Sequence, residues 1–478
     1  MTERKTIFHA MGLGLLIAFW AYIDPVISAF LGLRNFHYYF PYLLSVIVAA
    51  SLIMVLLLCS RMHDIWSEKE RWAILFTLFM AQFSGIELGP IHSLDVVALL
   101  LLLFWLLQSF VEGDRSVQVS PLFMFILGLA LLSLIPLAFR APFKGIIAMG
   151  EKFILFLLLV DLMRRKELIQ ISARFVVWMG IFSSIVSLVQ FVIFKMWGFL
   201  FTVGAPTDNP NSFLKPTPFG MMPRATAFFP NPAGLNDYLL FSLSVCLFAL
   251  FYAKTKKLKL LYSIGSLLMI SAVVLTWSFT ALVALGLIFI LFLYIYRPSL
   301  SIQYSCALGF GVIVSYQIGL LEKVFAFVKN FSSAAGGIRI RLLELGVESL
   351  VRNPFIGVGA QNFKSYTGNF FTEGPYIFKY PVHNAFIQMA TELGLFGGLI
   401  FLGMVVFLVM RLIAVLRSDT EEERWIFKGF LLGLLAIIIH MLTEPMAYEG
   451  TLWMIFGLME GAAMTMLREN KLRRETAS

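Results

Sequence analysis

Long uninterrupted apolar runs, separated by short polar links, make up most of this chain. They fall at about 7–31, 40–59, 72–87, 94–111, 121–138, 146–162, 175–200, 233–253, 258–276, 280–296, 302–320, 384–411, 425–443 and 449–468. Most reach about 18 residues, the length a helix needs to cross hydrocarbon. The runs are continuous and do not alternate, so the backbone groups in lipid are satisfied by helices and not by a closed barrel. The pattern predicts an all-α, polytopic transmembrane helical bundle of about 12–14 spans. The third run is short, and Pro25 interrupts the first. The first run has no small-residue cleavage site after it and reads as a retained helix.

The links carry the orientation. Arg4 and Lys5, Arg61 to Arg71, Arg164 to Arg174, Lys254 to Lys259, Arg297, Arg411 to Lys428 and Arg468 to Arg474 fall on one side when the runs are counted off. Short loops rich in Lys and Arg stay in the cytoplasm, so both termini are expected inside. Two long segments, 201–232 and 321–382, then lie outside as external loops. Within the second, Ile340, Leu343, Val347 and Val351 recur at helical spacing, with Arg341, Glu344 and Glu348 on another face. An amphipathic helix over 338–351, lying on the bundle through that apolar stripe, is the expectation.

Composition narrows the class further. The chain is 59% apolar and 14% charged, which excludes a soluble domain of 478 residues. Its net charge of +9 sits mostly in the short loops and tails, so it orients the protein and does not signal nucleic acid. The three cysteines, Cys59, Cys246 and Cys306, lie in or beside apolar runs and read as small buried residues. There is no phosphate-cradling glycine loop, no paired-aspartate metal motif and no nucleotide-binding domain. An enzyme of this kind is expected to take a donor carried in the membrane, and no cofactor is expected. No internal repeat is evident, which weighs against a transporter.

The candidate chemistry gathers at the outer side. His383 stands where a polar segment meets an apolar helix, and an imidazole there can exchange a proton at neutral pH. Asn384 can cap that helix; the plain alternative is that His383 belongs only to the cap. Arg140, Lys144, Arg224, Arg339 and Arg341 form a set of cations suited to forked binding of phosphate. For Arg140 and Lys144 the alternative is a pairing with a carboxylate or a lipid headgroup. Arg224 runs into a span through Ala225-Thr226-Ala227-Phe228-Phe229-Pro230-Asn231-Pro232, where a tight turn is expected. Glu444 and Glu449 flank a short outer loop as counter-charges. His440, inside an apolar run, reads as a helix-packing residue.

Three features of the chain resemble the bacterial O-antigen ligase and O-antigen polymerase family of integral-membrane glycosyltransferases. The first is His383-Asn384 followed in register by Gly394 and Gly397. The second is Arg224 leading to Asn231-Pro232. The third is Arg339 or Arg341, then Asn353-Pro354-Phe355-Ile356-Gly357-Val358-Gly359 and Asn362-Phe363. The resemblance covers mainly 220–400. It departs in the turn Thr276-Trp277-Ser278-Phe279-Thr280, where the family often has a Ser-Arg pair and this chain has Phe279. Arg339 or Arg341 supplies that charge, or the donor is bound differently.

The resemblance implies a saccharide donor on undecaprenyl pyrophosphate, used at the outer face of the cytoplasmic (inner) membrane in surface-polysaccharide assembly. The acceptor is lipid A-core in a ligase or a lipid-linked glycan in a polymerase. Membrane lipids and other polysaccharide-assembly proteins are the expected partners, and nucleic acid is not. It implies inverting, metal-independent transfer with His383 as base, the pyrophosphate held by Arg224 and Arg339 or Arg341, with Arg140 and Lys144 as further candidates, and Asn384, Asn231 and Glu444 in support. A transporter or flippase, or a non-catalytic partner for lipid-linked saccharides, is the competing class.

Overall fold

The computed structural model describes residues 68–84, 87–88, 91–112, 119–135, 143–198, 213–217, 220–370, 380–418 and 423–477. The predicted spans 7–31 and 40–59, and Arg140, lie outside these residues. Contacts divide the chain into two units. One comprises Met1–Trp72 with Leu88–Pro90; the other comprises Ala73–Glu87 with Ile91–Ser478 and holds everything discussed below.

The second unit is built from helices, as the apolar runs require. In chain order they are α1 Lys69–Met80 (whose first turn belongs to the other unit), α2 Ser93–Glu112, α3 Phe123–Leu134, α4 Phe143–Leu162, α5 Lys166–Trp197, α6 Pro232–Tyr252, α7 Lys256–Leu275, α8 Phe279–Tyr296, α9 Ser301–Gln317, α10 Leu320–Arg352, α11 Phe363–Phe370, α12 Ala385–Arg417, α13 Arg424–Met441 and α14 Gly450–Ala477. Seven helices among the described residues are long and apolar enough to cross a membrane: α5, α6, α7, α8, α12, α13 and Gly450–Thr476 of α14. Leu94–Leu106 and Phe123–Leu134 are shorter apolar helices. The chain is an all-α, polytopic integral membrane protein.

The core is built where α6 packs on α13 and where α14 packs on α4 and α12. Phe241 stacks on Phe430 at 5.6 Å between ring centroids, and Gly433 lets α13 approach Phe241 closely. Trp453 is fully buried against Phe153, Phe156 and Phe401. Lys166 pairs with Glu423 at 2.8 Å, and Asn470 donates to Ser418 at 2.7 Å. These contacts tie one end of the bundle, where the basic links cluster. The other end carries the long segments, and there β1 Leu214–Thr217 pairs antiparallel with β2 Gly220–Pro223.

Segment 321–382 differs from the expectation in two ways. The amphipathic helix is longer, running without interruption over Leu320–Arg352. It also packs through a different face. Leu342 and Leu345 are buried with Val358, Phe363 and Val382, whereas Ile340, Leu343, Val347 and Val351 are exposed. A Cβ on Gly346 would meet Val382, and the Gly346 carbonyl accepts from Thr391 Oγ1 at 3.0 Å. Gly346, between the buried leucines and Ser349 on this face, lets the helix backbone come close to the bundle.

That contact meets a break in α12. Gly394 has φ +77° and ψ 174°, so the helix is two segments joined at this residue. The carbonyls freed by the break are not left unpaired. Val358 N–H donates to Thr391 at 3.0 Å, Gly359 N–H to Glu392 at 2.9 Å, and Leu395 N–H turns to Pro354 at 2.8 Å. Gly357 must be glycine here: its φ is +72°, and a Cβ would strike the backbone of Glu392. The Asn353–Gly359 stretch therefore works as an external cap for a broken helix.

Candidate active site

Two asparagines begin the helices that frame the site. Asn231 Oδ1 accepts from Gly234 N–H at 2.8 Å, with Pro232 in the first turn. Asn384 Oδ1 accepts from Phe386 and Ile387 N–H, each at 3.0 Å, while its Nδ2 donates to the Leu442 carbonyl at 3.0 Å. The caps set the starts of α6 and α12, and Asn384 also ties α12 to the end of α13.

Arg224 is held by the turn before α6. Its backbone N–H donates to Phe213 at 2.8 Å and its Nε to the Thr276 carbonyl at 3.0 Å; Ala225 N–H donates to Leu275 at 2.9 Å. The next turn places Ala227 at φ +47°. Buried Gln190 secures it: its Oε1 accepts from Thr226 and Ala227 N–H at 3.2 and 2.9 Å, and its Nε2 donates to the Ala227 carbonyl at 2.9 Å. Replacing Gln190 with alanine should leave these groups unpaired and cost about 1–3 kcal/mol. A detergent-unfolding midpoint equal to that of wild type would overturn the clamp.

Arg339 Nη2 pairs with Glu444 Oε1 at 2.7 Å. Arg341, two positions on, points elsewhere on the helix and pairs with Glu344 at 2.9 Å. Lys144 lies in the first turn of α4 beside Gly145, whose backbone abuts the Ala360 carbonyl. Glu449 lies by Asn231 and Asp237, and burial lifts its carboxyl to about 7.

Arg224, Arg339 and Glu444 act on one another electrostatically. Burial pulls Arg224 down to about 10; Glu444 opposes this and Arg339 adds to it, and the guanidinium stays charged at neutral pH. His383 joins the same group. Its Nδ1 is 3.0 Å from the Pro381 carbonyl. A carbonyl only accepts, so the neutral ring carries its proton on Nδ1 and presents Nε2 as the basic nitrogen. Burial lowers its pKa below the usual imidazole value, Glu444 works against this, and Arg339 and Lys364 add to it. The imidazole is therefore neutral at pH 7.

Lys215 carries no motif, and only pairing in the hairpin reveals its place. It sits opposite Met222 in the β1–β2 register, two residues from Arg224, and its Nζ donates to the Trp277 carbonyl at 2.8 Å. It thus reaches the turn in which Phe279 stands where the resemblance leads one to expect an arginine. Below the cluster, fully buried His440 bonds through Nδ1 to Asp237 Oδ1. Among the described residues, no three His, Cys, Asp or Glu side chains come together as a metal site.

A bundle of apolar helices, with guanidinium groups and a neutral imidazole at its loop end, makes this an integral membrane protein. Residues 264–402 match the family model described as O-antigen ligase, so this stretch is similar to that family. No curated protein matches the chain. The matched stretch holds Arg339 and His383, while Lys215, Arg224 and Glu444 lie outside it and reach the same place by folding.

Proposed function

We propose that the chain transfers a saccharide from an undecaprenyl-pyrophosphate donor to a hydroxyl acceptor at the outer face of the bacterial inner membrane, with both termini in the cytoplasm. The convergence of Arg224 and Arg339 around Glu444, beside His383, carries this reading. The acceptor oxygen attacks the anomeric carbon from the face opposite the pyrophosphate. The new C–O bond forms as the bond to the phosphate oxygen breaks, which inverts the anomeric centre. His383 Nε2 takes the hydroxyl proton, and the pyrophosphate departs with its charge held by the guanidinium groups. Those fixed cations supply the stabilisation for which other enzymes use a metal ion.

The test is transfer from a lipid-linked repeat unit by purified protein in nanodiscs with EDTA present. Activity that survives EDTA is expected; its abolition would remove the metal-independent step. A product ladder identifies a polymerase, and a single transfer to lipid A-core identifies a ligase. The pH profile is a second check. The base must be unprotonated, so the rate should rise with pH and level off below the ordinary imidazole pKa, as the lowered pKa of His383 requires.

A second reading, transport of a lipid-linked saccharide, draws on the helix broken at Gly394 and the buried Asp237–His440 pair, features that transporters place in their spans. Flux across sealed vesicles without glycosidic bond formation would favour it.

A further inference from the structure

We propose that Lys215 is a third phosphate-binding group, which with Arg224 and Arg339 completes a cradle for the donor's pyrophosphate. The inference rests on the transferase reading for the identity of the ligand. The geometry begins with one turn. Arg224 Nε donates to Thr276 and Lys215 Nζ to Trp277, so two cations from the hairpin segment are anchored on adjacent carbonyls. The turn itself is held. Thr276 Oγ1 bonds to Val273 at 2.7 Å, Trp277 takes φ +51°, and Ser278 Oγ caps α8 by accepting from Ala281 N–H. The cations are therefore fixed side by side and do not sweep through solvent on long arms.

Arg339 comes to the same place from α10, and Glu444 is the acid among them, already bonded to Arg339. Among the described residues these three cations share one carboxylate, Glu444, in a partly buried setting. A dianionic group seated among them would be attracted by all three. Lysine suits such a position as a compact charge beside the planar guanidinium forks. Its environment supports this role: burial first, then Arg224 and Arg339, bring its pKa down to about 8, with Glu444 opposing.

The experiment uses the full chain in phosphatidylcholine nanodiscs, with binding of undecaprenyl pyrophosphate followed by tryptophan fluorescence. Wild type, Lys215→Met and Lys215→Arg are compared from pH 6 to 10. Loss of one charged hydrogen bond should weaken binding about tenfold or more in Lys215→Met. Lys215→Arg should bind within about twofold of wild type at pH 7, because the charge and donor remain. Wild-type binding should weaken as pH rises through about 8, whereas Lys215→Arg should hold. Equal binding by wild type and Lys215→Met overturns the proposal, as does absence of binding by wild type. If Lys215→Met fails to fold, identical pH profiles for wild type and Lys215→Arg overturn it instead. Wild type that binds but transfers no saccharide defeats the transferase reading and leaves the lysine's role standing. Wild type that transfers while Lys215→Met binds normally does the reverse.

Discussion

Replacing His383 with alanine is expected to lower saccharide transfer by about 10²–10⁴-fold, the range for loss of a positioned base. The expectation rests on the arrangement of the ring. The Pro381 carbonyl fixes the tautomer, burial keeps the imidazole neutral, and Glu444 and Arg339, which also act on Arg224, act on the ring. The helix start does not depend on the ring, because Asn384 supplies the cap. The variant should therefore unfold at nearly the same temperature as wild type and bind donor comparably, with the loss falling on kcat and not on KM. Single-turnover rates with saturating lipid-linked donor measure this. A variant with wild-type kcat would reduce His383 to a residue beside a cap.

Asp237→Ala is expected to cost about 3–5 kcal/mol of stability, the penalty for stripping one partner from a buried pair. Asp237 on α6 and His440 on α13 face each other inside the bundle with almost no exposure. Removing the carboxylate leaves the imidazole without its anchor where water cannot replace it. The double change Asp237→Leu with His440→Leu should recover most of the loss, since neither polar group is then stranded. Thermal unfolding in mild detergent distinguishes these cases. An unchanged midpoint for Asp237→Ala would mean that α6 and α13 are held by their apolar contacts alone.

The spans were legible wherever an apolar run has clear ends. The run 280–296 appears as Phe279–Tyr296, and 233–253 as Pro232–Tyr252, bounded by Asn231-Pro232 on one side and the basic link at 254–259 on the other. The outer helix was harder to read. Helical spacing shows that Ile340, Leu343, Val347 and Val351 share a face, but not whether protein or something else covers it. The small residues Gly346 and Ser349 lie on the docking face, and no hydrophobic pattern marks them. His383, Arg224 and Arg339 were readable through the family resemblance. Lys215 was not, because its approach to Arg224 comes from strand pairing in a segment with no motif. The Asp237–His440 contact joins residues about two hundred positions apart and has no local signature.

The joint at Gly394 bears on what sets the position of His383. Helix α12 is two struts butted end to end at Gly394, with Leu395 N–H bonded to the Pro354 carbonyl and the Thr391 carbonyl accepting from Val358 N–H. The upper strut, which starts at Ala385 just after the histidine, takes its bearing from the Asn353–Gly359 collar and from α10 through Thr391 and Gly346. The bearing of His383 is thus taken from α10 and the collar, and α10 also carries Arg339.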